Sequence, residues 1–377
     1  MNKKCLLCSG ALIPDNIIFK LHNLPSSAQN IPDGNQVKED NGIDLDLYQC
    51  NNCGLVQFDC EPVDYYKKVI RAGGETSTMI NLRRKQYEKF INQFNLTGKK
   101  IIEIGCGKGE FLKVWKDFDV NASGIEYNSE LVEIAINNGL NVKQFFVDDE
   151  NSVIPDGPFD AFCQFNFLEH QPYPNEMIKG IYNNLKDNGV GLVTVPSLEY
   201  ILQYNGYYEL IRDHIAYYSK ETLSLLFQKN GFEVLSISTV NRDTHEIIVR
   251  KRSKIDVSNW NKNFNCLKQE FDNYCEEFKN KKIAVWGASH QGFTLIPTME
   301  LSNKVEYIID SAVFKQGKFA PSSHVKIVEP DYFYKNPVDS ILIVAPGYTD
   351  EIASIIKEKF GKNIDIRTLR SNHLEKL

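Results

Sequence analysis

A chain of 377 residues, 42% hydrophobic and 24% charged, is too long for one ordinary core and has the make-up of a soluble globular protein of two or three domains. Its formal charge of −6 supplies no basic field for a polyphosphate backbone, so nucleic acid is not an expected partner. No apolar run approaches the roughly 20 residues that cross a bilayer, and Met-Asn-Lys-Lys gives way at once to cysteines and polar residues, so no membrane contact and no export signal are expected. Nine cysteines in such a chain are read as reduced thiols or metal ligands in the cytoplasm.

The first 60 or so residues are rich in Cys, Asn, Pro and Asp and read as a small loop-rich module with too little core of its own. Within it, Cys5-Leu-Leu-Cys8 and Cys50-Asn-Asn-Cys53 are two C-x-x-C pairs, the second followed by Gly54. Each pair folds as a knuckle whose thiolates converge, and two knuckles complete a tetrahedral set for Zn2+. Four thiolates leave no open position, so the metal is expected to be structural; a four-cysteine site also suits iron.

A helical pattern from roughly Thr78 to Phe94 leads to the strand Lys100–Ile104. Strands are expected at Ala122–Glu126, Val142–Val147, Phe159–Gln164 and Gly191–Val195, with helices over Leu131–Ile136 and Met177–Leu185 between them. That alternation predicts an α/β fold with a doubly wound sheet. After a polar helical connection over Lys251–Asn280, a smaller α/β unit is expected on Lys282–Gly287, Val305–Asp310 and Ser340–Val344.

The first long strand ends in Glu103-Ile-Gly105-Cys-Gly107-Lys-Gly109 and enters a helix at about Glu110. Glycines there let the backbone turn sharply and let a ligand lie against bare peptide groups. Position 110 is Glu, which breaks the G-x-G-x-x-G spacing of a dinucleotide site, and no Lys-Ser/Thr closes a phosphate loop. Glu126 ends the next strand 21 residues after Gly105, where a carboxylate takes both ribose hydroxyls. The pattern fits an adenosine nucleoside that carries no pyrophosphate. Gln164 and Asn166 sit at the carboxyl end of a strand, the edge where open α/β sheets bind ligands. Asp148 and Asp149 are read either as contacts for an adenine amino group or as solvated loop acids.

The cysteine module with Leu24-Pro25 and Cys50-x-x-Cys53-Gly-Leu-Val-Gln57, the glycine loop with Phe167-Leu-Glu-His170, Asp213-His214-Ile-Ala-Tyr217-Tyr218-Ser219, and Trp286-Gly-Ala-Ser-His-Gln-Gly292 with Phe314–Lys318, His324 and Ala345-Pro-Gly347 run through nearly the whole chain. Together they resemble the bacterial sugar C-methyltransferases of three-part type. The resemblance implies a zinc-binding module over 1–75, a class I S-adenosylmethionine-dependent methyltransferase domain over 76–250, and a C-terminal Rossmann-like domain over 251–377. It further implies a nucleotide-linked keto-deoxy sugar as acceptor, bound between the catalytic and C-terminal domains, with Ser289, His290, Lys315 and His324 as phosphate contacts. Two departures stand out. Ile211-Arg212-Asp213-His214 replaces the family's Tyr-His-Glu-His, and Val69–Thr78 keeps only Ser77 and Thr78 of its Tyr-x-Tyr-x-Ser-Ser.

Methylation at carbon needs a carbanion equivalent, hence a base beside a ketone. The expected base is His214, oriented by Asp213 or Glu209, with Tyr217 or His170 donating to the enolate oxygen. Competing readings are an O- or N-methyltransferase acting on a sugar nucleotide, which needs no ketone, and a non-catalytic sugar-nucleotide binding protein. The sequence leaves the sugar, the methylated atom and the oligomeric state open.

Overall fold

The computed structural model describes residues 3–68 and 76–377. Residues 69–75, most of the segment Val69–Thr78 that keeps only Ser77 and Thr78 of the Tyr-x-Tyr-x-Ser-Ser pattern, lie outside them.

The chain divides into two compact units, 1–254 and 255–377. The first opens with β1 (Ile17–Leu24), β2 (Ile43–Gln49) and β3 (Val56–Phe58). There follow α1 (Ser77–Phe94), β4 (Lys100–Ile104), β5 (Asn121–Glu126), α2 (Ser129–Asn137), β6 (Val142–Gln144), β7 (Phe159–Phe165), α3 (Pro174–Asn183) and β8 (Leu185–Pro196). Then come α4 (Leu198–Gln203), β9 (Ala216–Tyr217), α5 (Lys220–Lys229), β10 (Phe232–Val240) and β11 (Thr244–Lys251).

The main sheet runs β10-β11-β8-β7-β4-β5-β6. All its pairings are parallel except those of β11, which is antiparallel to both β8 and β10. This is the expected doubly wound α/β class, because β4, β7 and β8 are near-continuous apolar runs that a sheet covered on both faces requires. The chain winds outward from β4 to β5 and β6, then returns to β7 on β4's other side. That reversal opens a crevice beyond the carboxyl ends of β4 and β7, where ligands of such sheets bind.

Two expected elements differ. The turn after Gly109 leads into a 3-10 helix, Leu112–Asp117, rather than an α-helix, burying Leu112, Val114 and Trp115 in a short tight stretch. The sixth strand stops at Gln144: it is an edge strand, and Phe145–Val147 leave the sheet after one last bond from Phe145 N–H to Glu126 O.

The cysteine module lacks a core of its own, as its composition suggested. Its sheet β1-β2-β3 is completed by β9, with Val56 opposite Tyr217. Cys5, Leu7, Tyr48, Cys50 and Leu55 share one apolar cluster with Leu223, Leu226 and Phe227 of α5. Asn175 and Lys229 donate to the carbonyls of Leu6 and Leu7, fixing the first knuckle to α3 and α5.

The second unit contains α6 (Ser258–Glu277), β12 (Ile283–Trp286), α7 (His290–Thr298), β13 (Val305–Ile309), β14 (Ile327–Val328), β15 (Ser340–Ile343), α8 (Thr349–Lys359), β16 (Asp365–Leu369) and β17 (Leu374–Lys376). Its sheet order is β14-β13-β12-β15-β16-β17, parallel but for β17. The winding reverses at β12 and β15, which places Gly287 at this unit's own switch point. Among the described residues no helix is long and apolar enough to cross a membrane.

Candidate active site

The glycine turn is built as its sequence demands. Gly105 and Cys106 both donate to Ile125 O, at 2.9 and 3.0 Å, folding the loop over the end of β5. Gly105, Gly107 and Gly109 take φ of 69°, 60° and 88°, which side-chain-bearing residues adopt only with strain. Glu103 is fully buried beneath the turn. Glu126 is held by two backbone donors, Gly107 N–H to Oε2 at 3.0 Å and Asn128 N–H to Oε1 at 2.8 Å. Among the described residues, a Cβ placed on Gly105 would first meet the Phe167 ring, at 3.8 Å. An anchored carboxylate beside bare peptide groups, at Gly105, Gly107 and Glu126, is an arrangement into which an adenosine ribose fits. Beyond Glu126, Tyr127 packs edge-on against Phe146 at 5.8 Å, and Phe146 meets Phe167 at 6.2 Å, making an aromatic wall.

The two residues expected on the neighbouring strand part company. Asn166 lies on the crevice edge at φ 49°, its Oδ1 accepting from Thr194 Oγ at 2.8 Å. Gln164 is fully buried, with its amide nitrogen against Met177 Sδ at 3.3 Å, one layer below the crevice.

A cavity of about 140 Å³ opens beside Asn166, lined by Ser197, Tyr200, Glu209, His214 and Asp243 among others. His214 meets His170 edge-on with ring centroids 4.7 Å apart. Burial pulls the His214 imidazole down to about 3, with the His170 charge a second cause. Burial likewise holds His170 down at about 4, against the pull of its hydrogen bond to the Asp213 carbonyl. That bond, at 2.8 Å from Nδ1, fixes the His170 tautomer. Glu169, His170 and His214 each place a polar atom within 4.8 Å of the others.

Asp213 and Tyr217 do other work than the sequence suggested. Both Asp213 carboxylate oxygens are taken, by Tyr65 OH at 2.5 Å and Ala28 N–H at 2.8 Å, so the ring it orients is that of His170, through its carbonyl. The Tyr217 hydroxyl accepts from Ile211 N–H at 2.9 Å and donates back to Ile211 O at 3.3 Å. It clasps the loop that carries His214, and burial, its first cause, pushes its pKa far up. Tyr65, Ser197 and Tyr200 were not singled out from the sequence. Only the fold brings Tyr65 to a residue 148 positions away.

The four cysteines converge. Cys5 and Cys53 Sγ are 3.4 Å apart and Cys8 and Cys50 Sγ 3.5 Å, and all four lie within 4.8 Å of one another. Tetrahedral Zn–S bonds of about 2.3 Å put sulfurs roughly 3.8 Å apart, so the set fits zinc. The knuckles share one geometry: Ser9 N–H bonds Cys5 O and Gly54 N–H bonds Cys50 O, each from a left-handed residue.

In the second unit, Ser289 precedes α7, its Oγ buried with no hydrogen-bond partner among the described residues, and His290 opens the helix. Lys315 pairs with Asp310 Oδ2 at 3.0 Å, and the same oxygen accepts from Ala288 N–H at 2.9 Å, which brings Lys315 to that turn. His324 stands exposed at φ 54° in the turn between Phe319 and Lys326 and makes none of the hydrogen bonds that join this group.

Known proteins show the same two parts. A family model described as "Methyltransferase domain" matches residues 79–237, and one described as "C-methyltransferase C-terminal domain" matches residues 245–364. The C-methyltransferase NovU of Streptomyces niveus is 22% identical over 350 residues, 83% of this chain and 83% of its own. A ubiquinone biosynthesis O-methyltransferase of Haemophilus ducreyi is 32% identical over 104 residues, 25% of this chain and 44% of that enzyme. Among solved structures, the PH0226 protein of Pyrococcus horikoshii OT3 is 16% identical with a TM-score of 0.41, covering 50% of this chain and 99% of that one. An S-adenosylmethionine-dependent methyltransferase of Clostridium acetobutylicum is 14% identical with a TM-score of 0.39, covering 50% and 96%.

Proposed function

From the premise that the chain is an S-adenosylmethionine-dependent methyltransferase of the C-methyltransferase family, we propose that its acceptor is a nucleotide-linked keto-deoxy sugar, methylated at a carbon made nucleophilic as an enolate. The observation that carries this reading is His214: a half-buried imidazole on the wall of a cavity at the crevice edge, with no hydrogen bond to its ring among the described residues.

An imidazole kept neutral has its lone pair available for a proton. Removing a proton from the carbon beside a ketone turns a neutral pair into imidazolium and enolate, and their attraction in a buried cavity offsets the burial that otherwise disfavours the charged ring. Glu209 on the same wall adds a carboxylate facing the new cation. His170 is edge-on to His214, and with its Nδ1–H fixed on the Asp213 carbonyl it holds that ring from the side. Asn166 and Ser197 supply polar contacts for sugar oxygens, and Tyr200 a ring face for the sugar. S-adenosylmethionine supplies, when bound, a methyl group on a sulfonium; Gly105, Gly107 and Glu126 hold its adenosine end so that the chain contributes positioning. Zinc, held by Cys5, Cys8, Cys50 and Cys53, is structural and lies outside this chemistry. Within the second unit, Ser289, His290 and Lys315 gather at the turn before α7, a set suited to a phosphate; His324 is not joined to that set.

The test is solvent exchange. Purified protein with S-adenosylhomocysteine and a panel of nucleotide-linked keto sugars in deuterated water should incorporate deuterium at the carbon next to the ketone, and H214N should abolish it. Methyl transfer to a sugar oxygen or nitrogen with no exchange would replace this reading by the O- or N-methyltransferase one.

A further inference from the structure

The aromatic wall beyond Glu126 already faces a cation from the chain itself. Lys67 lies in a 3-10 helix, Tyr66–Lys68, between the cysteine module and α1. Its Nζ stands 4.4 Å from the centroid of the Phe146 ring, 5.5 Å from Tyr127 and 5.9 Å from Tyr66. It also bonds Asp148 Oδ1 at 2.5 Å. Three ring faces and one carboxylate around an ammonium form a complete cation box.

The position of that box gives it meaning. Glu126 ends β5, and Tyr127 follows it directly. Phe145 N–H bonds the Glu126 backbone carbonyl, and the next residue, Phe146, packs against Tyr127 at the end of β5. A ribose held on Glu126 therefore projects its base toward Tyr127 and Phe146, with Asp148 as the acceptor for an exocyclic amino group. Lys67 covers that ring face and engages that acceptor. Both cannot be used at once by an adenine and by the lysine.

We propose that Lys67 is an internal competitor for the adenine position, so that the cofactor binds only as the lysine leaves Phe146 and Asp148. This rests on the reading of Glu126 as the ribose carboxylate. Burial works against the Lys67 charge, but the bond to Asp148 and the neighbouring tyrosines outweigh it and raise its pKa, so the competitor is a full cation at any assay pH. The Lys67 side chain is 26% exposed and Asp148 62% exposed, so the pair can part toward solvent without opening the core.

The experiment is calorimetry on the full-length, metal-loaded protein, comparing wild type with K67M, which keeps the apolar stem and removes the charge. A cation–π contact and a part-exposed ion pair correspond to about a three- to thirty-fold gain in affinity once removed. K67M is expected to tighten S-adenosylmethionine, S-adenosylhomocysteine and 5′-methylthioadenosine by one common factor, because all three share the adenosine end. Raising the salt concentration should tighten S-adenosylhomocysteine for wild type and not for K67M. Unchanged or weakened binding in K67M overturns the proposal, and weakened binding would make Lys67 a cofactor contact instead. E126Q separates the two claims: if it binds as wild type does, or if wild type binds no adenosine ligand, the ribose reading fails and the proposal with it. If E126Q loses binding while K67M matches wild type, only the proposal falls.

Discussion

Tyr65 donates a 2.5 Å hydrogen bond to Asp213, and through it the segment following the cysteine knuckles fixes the residue that precedes His214. The other Asp213 oxygen takes the Ala28 N–H, and the Asp213 carbonyl takes the His170 ring. Position 211 is an isoleucine with no hydroxyl to offer, and the hydroxyls that reach this loop come from Tyr65 and from Tyr217.

Y65F should therefore destabilise the first unit and disturb the histidine pair together. Removing a hydrogen bond from a buried carboxylate costs about 1.5–3 kcal/mol, with Ala28 left as the remaining donor. Denaturant melts would show this. A change below about 0.5 kcal/mol would mean the bond contributes nothing beyond what water replaces.

Acid should weaken the fold through His170 and His214. Their native pKa values, about 4 and about 3, lie below the ordinary 6.5, so between those limits the unfolded chain binds protons the native one does not. Stability is complete above 6.5 and falls as the pH drops, by about 2–3 kcal/mol for the pair from pH 7 to pH 5.5. The double variant H170N/H214N should lose most of that slope. An equally steep loss in the variant would place the acid sensitivity elsewhere.

Chelation should reach far beyond the cysteines. β3 pairs with β9, which begins two residues after His214, and the knuckles share an apolar cluster with α5. Metal analysis is expected to give one zinc per chain at the four thiols, and C50S or a strong chelator should lower the melting temperature of the whole first unit. A separate early transition with the rest unmoved would show that the module folds independently.

Gly105 and Gly109 should fail in different ways. Alanine at 109 must adopt φ 88° with its Cβ 2.1 Å from Leu140 Cδ1, so G109A should lose about 1–3 kcal/mol of stability. Among the described residues alanine at 105 meets no atom nearer than Phe167 at 3.8 Å, but it fills the space over the turn, so G105A should lose cofactor affinity at least tenfold for a smaller loss of stability. Parallel melts and calorimetry separate the two. Equal profiles would mean the cofactor does not lie over Gly105.

Short-range chemistry made much of this protein legible in its residues. The doubled C-x-x-C, the glycines after β4 and the carboxylate ending β5 are local patterns, because a knuckle, a tight turn and a strand end are each made within a few residues. The apolar runs of β4, β7 and β8 likewise specified a covered parallel sheet. Side-chain partners across the chain were not legible. That Asp213 turns to Tyr65 and Ala28, that Tyr217 closes on Ile211, that Gln164 sinks against Met177 and that Lys67 covers Phe146 follow from tertiary packing between residues 6 to 185 positions apart. A sequence fixes which groups are present and how each bends its own backbone; which of them meet is decided only when burial of the shared core brings the distant segments together.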